Sequence, residues 1–504
     1  MSAFVTDQFR ILNAGSFVES ISNNSYYAFL GLSNPTPGSV GFGRTDNWNT
    51  STINNPVDNF QYLSHYRDTS LFGKKITSEN ARRVIRKVDW VVNTAYDMYR
   101  HDYRQGNESP VSKTVRLYDT NYYVITSEFK VYICIDNGSS GTDPITVTGS
   151  TIEPTQTDVE PSASGSDGYR WKYLFSISPS DVIKFDSTEY ITVPNDWLTT
   201  TDSNIQTIRE GGNSDTNNNQ IKAVYIENGG KGYTSGTTAD IVGDGTGGKV
   251  SITVDSVGAI TDVVVTNGGK GYTYGIINLT PSSPSDTAKL IPIIPPSKGH
   301  GYNIYEELGT DKVLMYARFD DSTKDFPIDT KFAQVGIIKN PETFSGAGVT
   351  FTENAFSSLY AVGLTTSRTV VIGEKITQNV SGAKGYVASF DSDTKVLKYY
   401  QDRSLCYGNK IDQTLSASTT NIIAFDSTND IIFSSSGDSS SIKNLNGSVV
   451  VVNNKQINLG VNFTNGLANP QINKKTGTII YIDNRPEVQR DSRQKEDIKI
   501  ILEF

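Results

Sequence analysis

Apolar side chains alternate with polar ones in short runs along this chain, and turn-forming residues separate the runs. Phe129, Val131, Ile133 and Ile135 fall on one side of such a run, with Lys130, Tyr132 and Cys134 on the other. Val250, Ile252 and Val254 repeat the pattern, and Ile498, Ile500, Leu502 and Phe504 alternate with Lys499, Ile501 and Glu503 up to the last residue. A period of two places successive side chains on opposite faces of a pleated strand, so each run predicts a half-buried β-strand. The C-terminal Phe on an apolar face predicts that this end is sewn into a sheet. Ile479, Ile480, Tyr481 and Ile482 are apolar without alternation and predict a more buried strand. Helical signals are few. Thr77 or Ser78 is placed to cap a short helix carrying Ala81, Val84 and Ile85, with Glu79 in its first turn. A second short helix is expected after Pro179, where Ser180 and Asp181 precede Val182 and Ile183. The fold class expected is mainly β, with a layered β-sandwich core and short helical insertions.

One internal repeat is clear. YIENGGKGYTSG (Tyr225 to Gly236) returns as VVTNGGKGYTYG (Val264 to Gly275), and Asn228 recurs as Asn267, a period of 39 residues. Each copy reads as a strand, a glycine turn in which positive φ is allowed, and a Tyr packed over that turn. Two copies make a small repeat module rather than a solenoid. It ends in IPIIPPSKGHG, a Pro-rich extended linker. From Phe356 to about Gly460 the chain changes again to strand-like fragments between polar turns, and SGAKGY (Ser381 to Tyr386) echoes the earlier turn. The expected division is a core β domain in three parts, 1–220, 298–355 and 461–504. It is interrupted by a repeat module at 221–297 and a second all-β module at 356–460. Both modules are expected to be excisable.

The length of 504 residues allows two to four domains and is ample to bury a core. Two cysteines, Cys134 and Cys406, make no C-x-x-C pair, so a disulfide framework, zinc and thiol redox chemistry are not expected. MSAFVTDQFR shows neither a basic nor an apolar leader region, and no run approaches the ~18 apolar residues of a membrane span. A soluble chain made in a cytoplasm, with no membrane partner, is expected. A net charge of −9 argues against nucleic acid, which needs clustered Lys and Arg. The densest basic cluster, Arg82, Arg83, Arg86 and Lys87, reads as the solvated face of the short helix after Ser78. With 27 Tyr against 3 Met and 3 His, the composition is typical of extracellular or virion β-structure.

Several patterns look chemical and fail on context. Gly243, Gly245 and Gly248 fit G-x-G-x-x-G, and Gly243 to Lys249 fits G-x-x-x-x-G-K. A phosphate loop needs Ser or Thr after the Lys and a helix whose N-terminus faces the phosphate. Here Val250 follows and KVSITVD reads as a strand, so a hairpin loop is expected and no nucleotide cofactor. His65, His101 and His300 lie in no metal-ligand spacing, and there is no G-x-S-x-G elbow. Asp391 and Asp393 lack the Gly and Glu of a calcium loop and read as a β-turn. Glu306 and Glu307 read as ordinary surface carboxylates. No catalytic residue, cofactor or metal site is expected.

The strongest likeness lies in five segments taken in order. VIRKVDW (Val84 to Trp90), DGYRWKYLFSISP (Asp167 to Pro179) with EYITVPNDW (Glu189 to Trp197), and KFAQVGIIKNP (Lys331 to Pro341) are followed by GTIIYIDNRP (Gly477 to Pro486) and EDIKIILEF (Glu496 to Phe504). Together they resemble the dimeric baseplate wedge subunit of T-even-like contractile-tailed bacteriophages, and the extra modules resemble those of its enlarged, cyanophage-type members. The resemblance implies an immunoglobulin-like β core, a homodimer, and contacts with other wedge proteins in a virion tail baseplate assembled in the host cytoplasm. The family offers no catalytic residues to carry over. Structural or interface candidates are Trp90, Trp171, Tyr173, Tyr190, Trp197, Tyr481, Arg485 and Phe504. The three tryptophans are read as core residues before interface anchors, and Arg485 as a strand-end residue able to pair with Asp483. A glycan- or receptor-binding tail adhesin, touching the host through the inserted modules, is the alternative, and a carboxylate-pair glycanase a third reading.

Overall fold

The computed structural model of the chain describes residues 5–32, 55, 56, 58, 60–141, 145–210, 219–280, 286–320, 331–401, 422–489 and 494–504. Strand makes up 42% and helix 11%, so strand pairing sets the direction of far more side chains than helix packing does. The mainly β expectation holds. By contact the chain falls into two compact units, one of Met1–Val18, Arg82–Leu314 and Ile501–Phe504, the other of Glu19–Ala81 and Met315–Ile500.

In the first unit, an antiparallel sheet of Tyr123–Ile125, Lys130–Asn137 and Tyr169–Ser176 carries the main aromatic core. The half-buried expectation for its middle strand needs correction. Val131, Tyr132, Ile133, Cys134 and Ile135 are all buried, because the second face is covered by aromatic packing. Tyr132 meets Tyr173 edge-on at 5.7 Å and sends its hydroxyl to Gln156 O at 2.9 Å. Phe129 stands outside the strand, 40% exposed, with φ of 58° in the turn that precedes it.

The helix expected after Ser78 is a single 3-10 turn, Ser78–Asn80, that gives way to the strand Ala81–Arg86. The capping residues were local signals, whereas Val84 and Ile85 are β-branched and find partners across a ladder with Tyr190–Val193 (Arg83 to Val193, Ile85 to Ile191). The basic cluster is thus not a helix face. Arg83 is buried with its guanidinium 3.8 Å from the Tyr305 ring centre, and Arg82 pairs with Asp181. The helix after Pro179 forms as Pro179–Phe185, with Ser178 Oγ accepting the Asp181 N–H. A 17-residue helix, Asp7–Asn23, lies outside the few helical signals expected, with buried Ile11, Ala14, Val18 and Ile21 recurring at helical spacing along it.

The two repeat copies share one turn geometry, although in the second copy Gly268, Gly269 and Lys270 still belong to the strand Ile260–Lys270, and the next strand begins only at Thr238 or Gly275. In both copies Asn Oδ1 accepts an N–H two residues on, Asn228 from Gly230 and Asn267 from Gly269, each at 2.9 Å. Gly230 and Gly269 have φ near +60°, and a Cβ on either would strike the Tyr that follows, Tyr233 or Tyr272. Ser381 makes the same kind of bond, to the Ala383 N–H, in the echo of the motif. The copies pair reciprocally: Ile260 N–H donates to Gly229 O, and Ile221 N–H to Gly268 O. Ile221, Val224 and Tyr233 and their counterparts Ile260, Val263 and Tyr272 share one core.

This module is rooted by a two-stranded ribbon, Val224–Asn228 against Lys289–Pro292, in the register Val224 to Pro292 and Asn228 to Lys289. One face of the root, Val224, Leu290 and Ile294, enters the module core. The other, Ala223, Tyr225 and Ile293, enters the main core of the unit.

The second unit has a five-stranded antiparallel sheet in the order Ala355–Ser357, Ser70–Ile76, Tyr26–Gly31, Lys331–Lys339, Thr478–Gln489. The last is an edge strand and is not the buried strand expected. Among the described residues it pairs on one side only, its residues are half-buried at best, and Ile480 is 41% exposed. A seven-stranded sheet runs from Tyr360 to Ala468. Its entry strand Tyr360–Gly363 pairs directly with the exit strand Leu467–Ala468, so the chain leaves and returns at one place. The C-terminal strand Glu496–Glu503 lies at a sheet edge beside Lys312–Phe319. Ile500 is buried while Ile498, Leu502 and Phe504 are half-buried, and Phe504 packs 5.3 Å from Phe17.

Candidate functional site

A cleft of about 430 Å³ opens in the first unit. The helix Asp7–Asn23 brings Asp7 and Arg10 to it, the end of the strand Ala81–Arg86 brings Arg86, and the C-terminal strand brings Glu503. The charges neutralise one another. Arg116 holds Asp7 at 2.6 Å, Lys312 holds Asp311 at 2.9 Å and Glu503 at 3.5 Å, and Arg10 reaches Glu503 at 4.0 Å. Burial pulls the Lys312 amine down, but Asp311 and Glu503 outweigh it and raise its pKa above the ordinary value. A cleft paired in this way offers a polar, net-neutral surface.

Below the surface of the same unit lies a buried polar set. Asn303 caps the single helical turn Ile304–Glu307. The turn brings the Glu307 carboxylate back to His300 Nδ1 at 2.5 Å and to the Gly301 N–H at 2.6 Å. Both side chains are almost fully enclosed, with Tyr99 edge-on to His300 at 4.8 Å. Glu307 is therefore not a surface carboxylate, whereas Glu306 is exposed. Hydrogen-bonded partners compensate its burial, and the pair closes the 300–307 loop. Nearby Lys172 is buried with its ammonium on Val159 O; burial, with Lys222, brings its pKa down to about 8. Glu307 and Glu160 oppose that shift.

The residues singled out from sequence are dispersed. Trp171 and Trp197 are core residues. Trp171 stacks on Tyr169 at 5.6 Å, and Trp197 donates its indole N–H to Gly301 O at 2.9 Å. Trp90 is half-buried, its Nε1 on Ser150 Oγ at 3.2 Å, and Tyr173 is buried. Tyr190 lines the charged cleft, Tyr481 is half-buried on the edge strand, and Arg485 is exposed and pairs with Asp483 at 2.7 Å. Phe504 packs on Phe17. The structure gathers these residues into no single site.

The decoys resolve as turns. Asp244 and Gly245 join the antiparallel strands Thr238–Gly243 and Thr246–Val254, and Lys249 is paired with Asp240 at 3.6 Å on the second of them. Asp391 Oδ1 accepts the N–H groups of Asp393 and Thr394 in a hairpin turn. Among the described residues no group of three or more His, Cys, Asp or Glu is placed to hold a metal ion, and no helix is long and apolar enough to cross a membrane. Cys134 is buried, which pushes its thiol pKa up; Cys406 and the His65 side chain lie outside the described residues.

Two polar residues to which the sequence assigns no role hold loops in place. Asp167, within the Asp167 to Pro179 segment, accepts the N–H groups of Thr151, Ile152 and Tyr169 and the Ser150 hydroxyl. His101 accepts the Ile294 N–H. A Gly residue immediately after Asp167 was the one local hint of a turn. No protein-family model and no curated protein matches the chain.

Proposed function

We propose that this chain is a non-catalytic structural subunit of a contractile phage tail baseplate wedge, acting through protein–protein contacts as a homodimer and with other wedge proteins. The observation that carries this reading is how the family-like segments sit. VIRKVDW and EYITVPNDW supply strands that pair with each other, and KFAQVGIIKNP and GTIIYIDNRP supply a second such pair. A likeness spread over mutually paired strands preserves a scaffold, which is what a permanent building block needs. Stiff buried tyrosines and tryptophans suit the same role, because they give broad packing at low entropy cost. Host-surface contact through the modules belongs to a second reading, a glycan-binding adhesin. It draws on Tyr274, 60% exposed beside the Asp244 carboxylate.

The test is a density map of the whole particle together with particles made without this chain. Density for the chain in the baseplate and failure to build normal tails without it are expected. Normal tails in its absence would overturn the structural role. Light scattering at micromolar concentration should find a dimer, and a monomer alone would remove that part. Glycan-array binding lost on Tyr274→Ala would favour the adhesin.

A further inference from the structure

The linker that leaves the repeat module reads Pro292-Ile293-Ile294-Pro295-Pro296. Proline has no N–H, so only Ile293 and Ile294 can donate a main-chain hydrogen bond in this stretch. Ile293 N–H goes to Ala223 O at 3.0 Å, and Ile294 N–H goes to His101 Nδ1 at 3.1 Å. One of the two main-chain tethers of the linker is thus an imidazole nitrogen. Ile293 is buried in the unit's main core and Ile294 in the module's core, so these two tethers sit where one core passes into the other.

An imidazole accepts at Nδ1 only in its neutral form with the proton on Nε2. In the protonated ring both nitrogens are donors, and an N–H would face the Ile294 N–H. We propose that His101 is an acid-sensitive clasp that holds the exit of the repeat module and releases it when the ring is protonated. His101 is an exposed residue, so its ring can exchange protons with solvent. The charged and titratable groups around it are Asp102 and Arg100 on its own loop and Tyr225 on the root strand, under the Arg100 guanidinium at 3.9 Å. Arg100 and Asp102 bind each other at 2.7 Å and largely cancel. Desolvation of the ring's inner side leaves its pKa below the ordinary value. The sign follows: the folded state resists protonation, so the clasp is intact above the ordinary histidine pKa and opens as pH falls through the lower, folded value.

The test is hydrogen exchange of the full chain, read on the peptide spanning 291–297 and corrected for intrinsic exchange, at about pH 7.5 and about pH 5. Protection of the linker amides should fall by up to about tenfold for each pH unit between the ordinary histidine pKa and the lower, folded one, and level off below it. His101→Asn, which keeps a neutral acceptor, should hold the linker equally at both pH values, and His101→Arg should leave it weakly protected at both. Equal protection at the two pH values in the unaltered chain would overturn the clasp. A pH-dependent fall that survives in His101→Asn would assign the change to another group and overturn it as well.

Discussion

Where the repeat module can be cut is decided by its root. Excising 221–297 removes Ala223, Tyr225 and Ile293 from the main core of the first unit, along with the ring on which Arg100 rests. Tyr225 and Ile293 are each about 97% buried or more. At ~1.5–3 kcal/mol for each large side chain buried, losing these two costs about 3–6 kcal/mol. A domain's whole net stability is about 5–15 kcal/mol, so this deletion should leave a chain that melts broadly or not at all. A shorter excision, Gly229 to Ala288, spares the root. Asn228 and Lys289 are register partners, so a two-residue Asn-Gly turn can join them in hairpin geometry. That chain keeps the face of the root that enters the main core and should unfold cooperatively. Urea and thermal melts of both deletions check this. If the 221–297 deletion melts as cooperatively as the shorter one, and within about 1 kcal/mol of it, the root contributes nothing to the main core and the reasoning fails.

Other perturbations probe single side chains and the C-terminal strand. Gly269→Ala should destabilise by at least about 2 kcal/mol and Gly236→Ala by only about 1, measured by urea midpoint. Both have positive φ, but a Cβ at 269 would lie 2.6 Å from Gly248 N and Thr246 O, while at 236 it meets nothing within 4 Å. Asp167→Ala should cost about 2–3 kcal/mol through four lost hydrogen bonds to a carboxylate. Burial raises the Asp167 pKa, yet those bonds outweigh it and hold the pKa below the usual carboxylate value. The stabilisation is therefore complete above about pH 4 and lost as pH falls through the folded value, so acid melts of the variant should be flatter below pH ~4. Truncation before Asp497 should abolish soluble expression, since it removes buried Ile500 and the Asp497 partner of Arg318 at 2.6 Å and bares a sheet edge. Glu503→Ala, at a side chain 60% exposed, should change stability by no more than about 0.5 kcal/mol.

The sequence by itself determined the elements whose signal is local. Alternation at Val250, Ile252 and Val254 placed a strand after the glycine-rich loop, because a pleated strand has a period of two whatever it packs on. The repeated Asn-Gly-Gly-Lys-Gly-Tyr turn was legible because an Asn side chain bonds its own backbone two residues on and glycine takes up the positive φ at the least cost. Tertiary structure decided the rest. VIRK became a strand because its partner lies some hundred residues later at Tyr190–Val193, beyond the reach of a capping signal. Ile479 to Ile482 sits at an edge, which apolar composition cannot distinguish from a centre. Glu307 and His101 look like any acid and any histidine in sequence. One is enclosed with His300 and the other is bound to a linker amide because of what the fold lays over them, and burial is a property of neighbours that a residue's own sequence window does not contain.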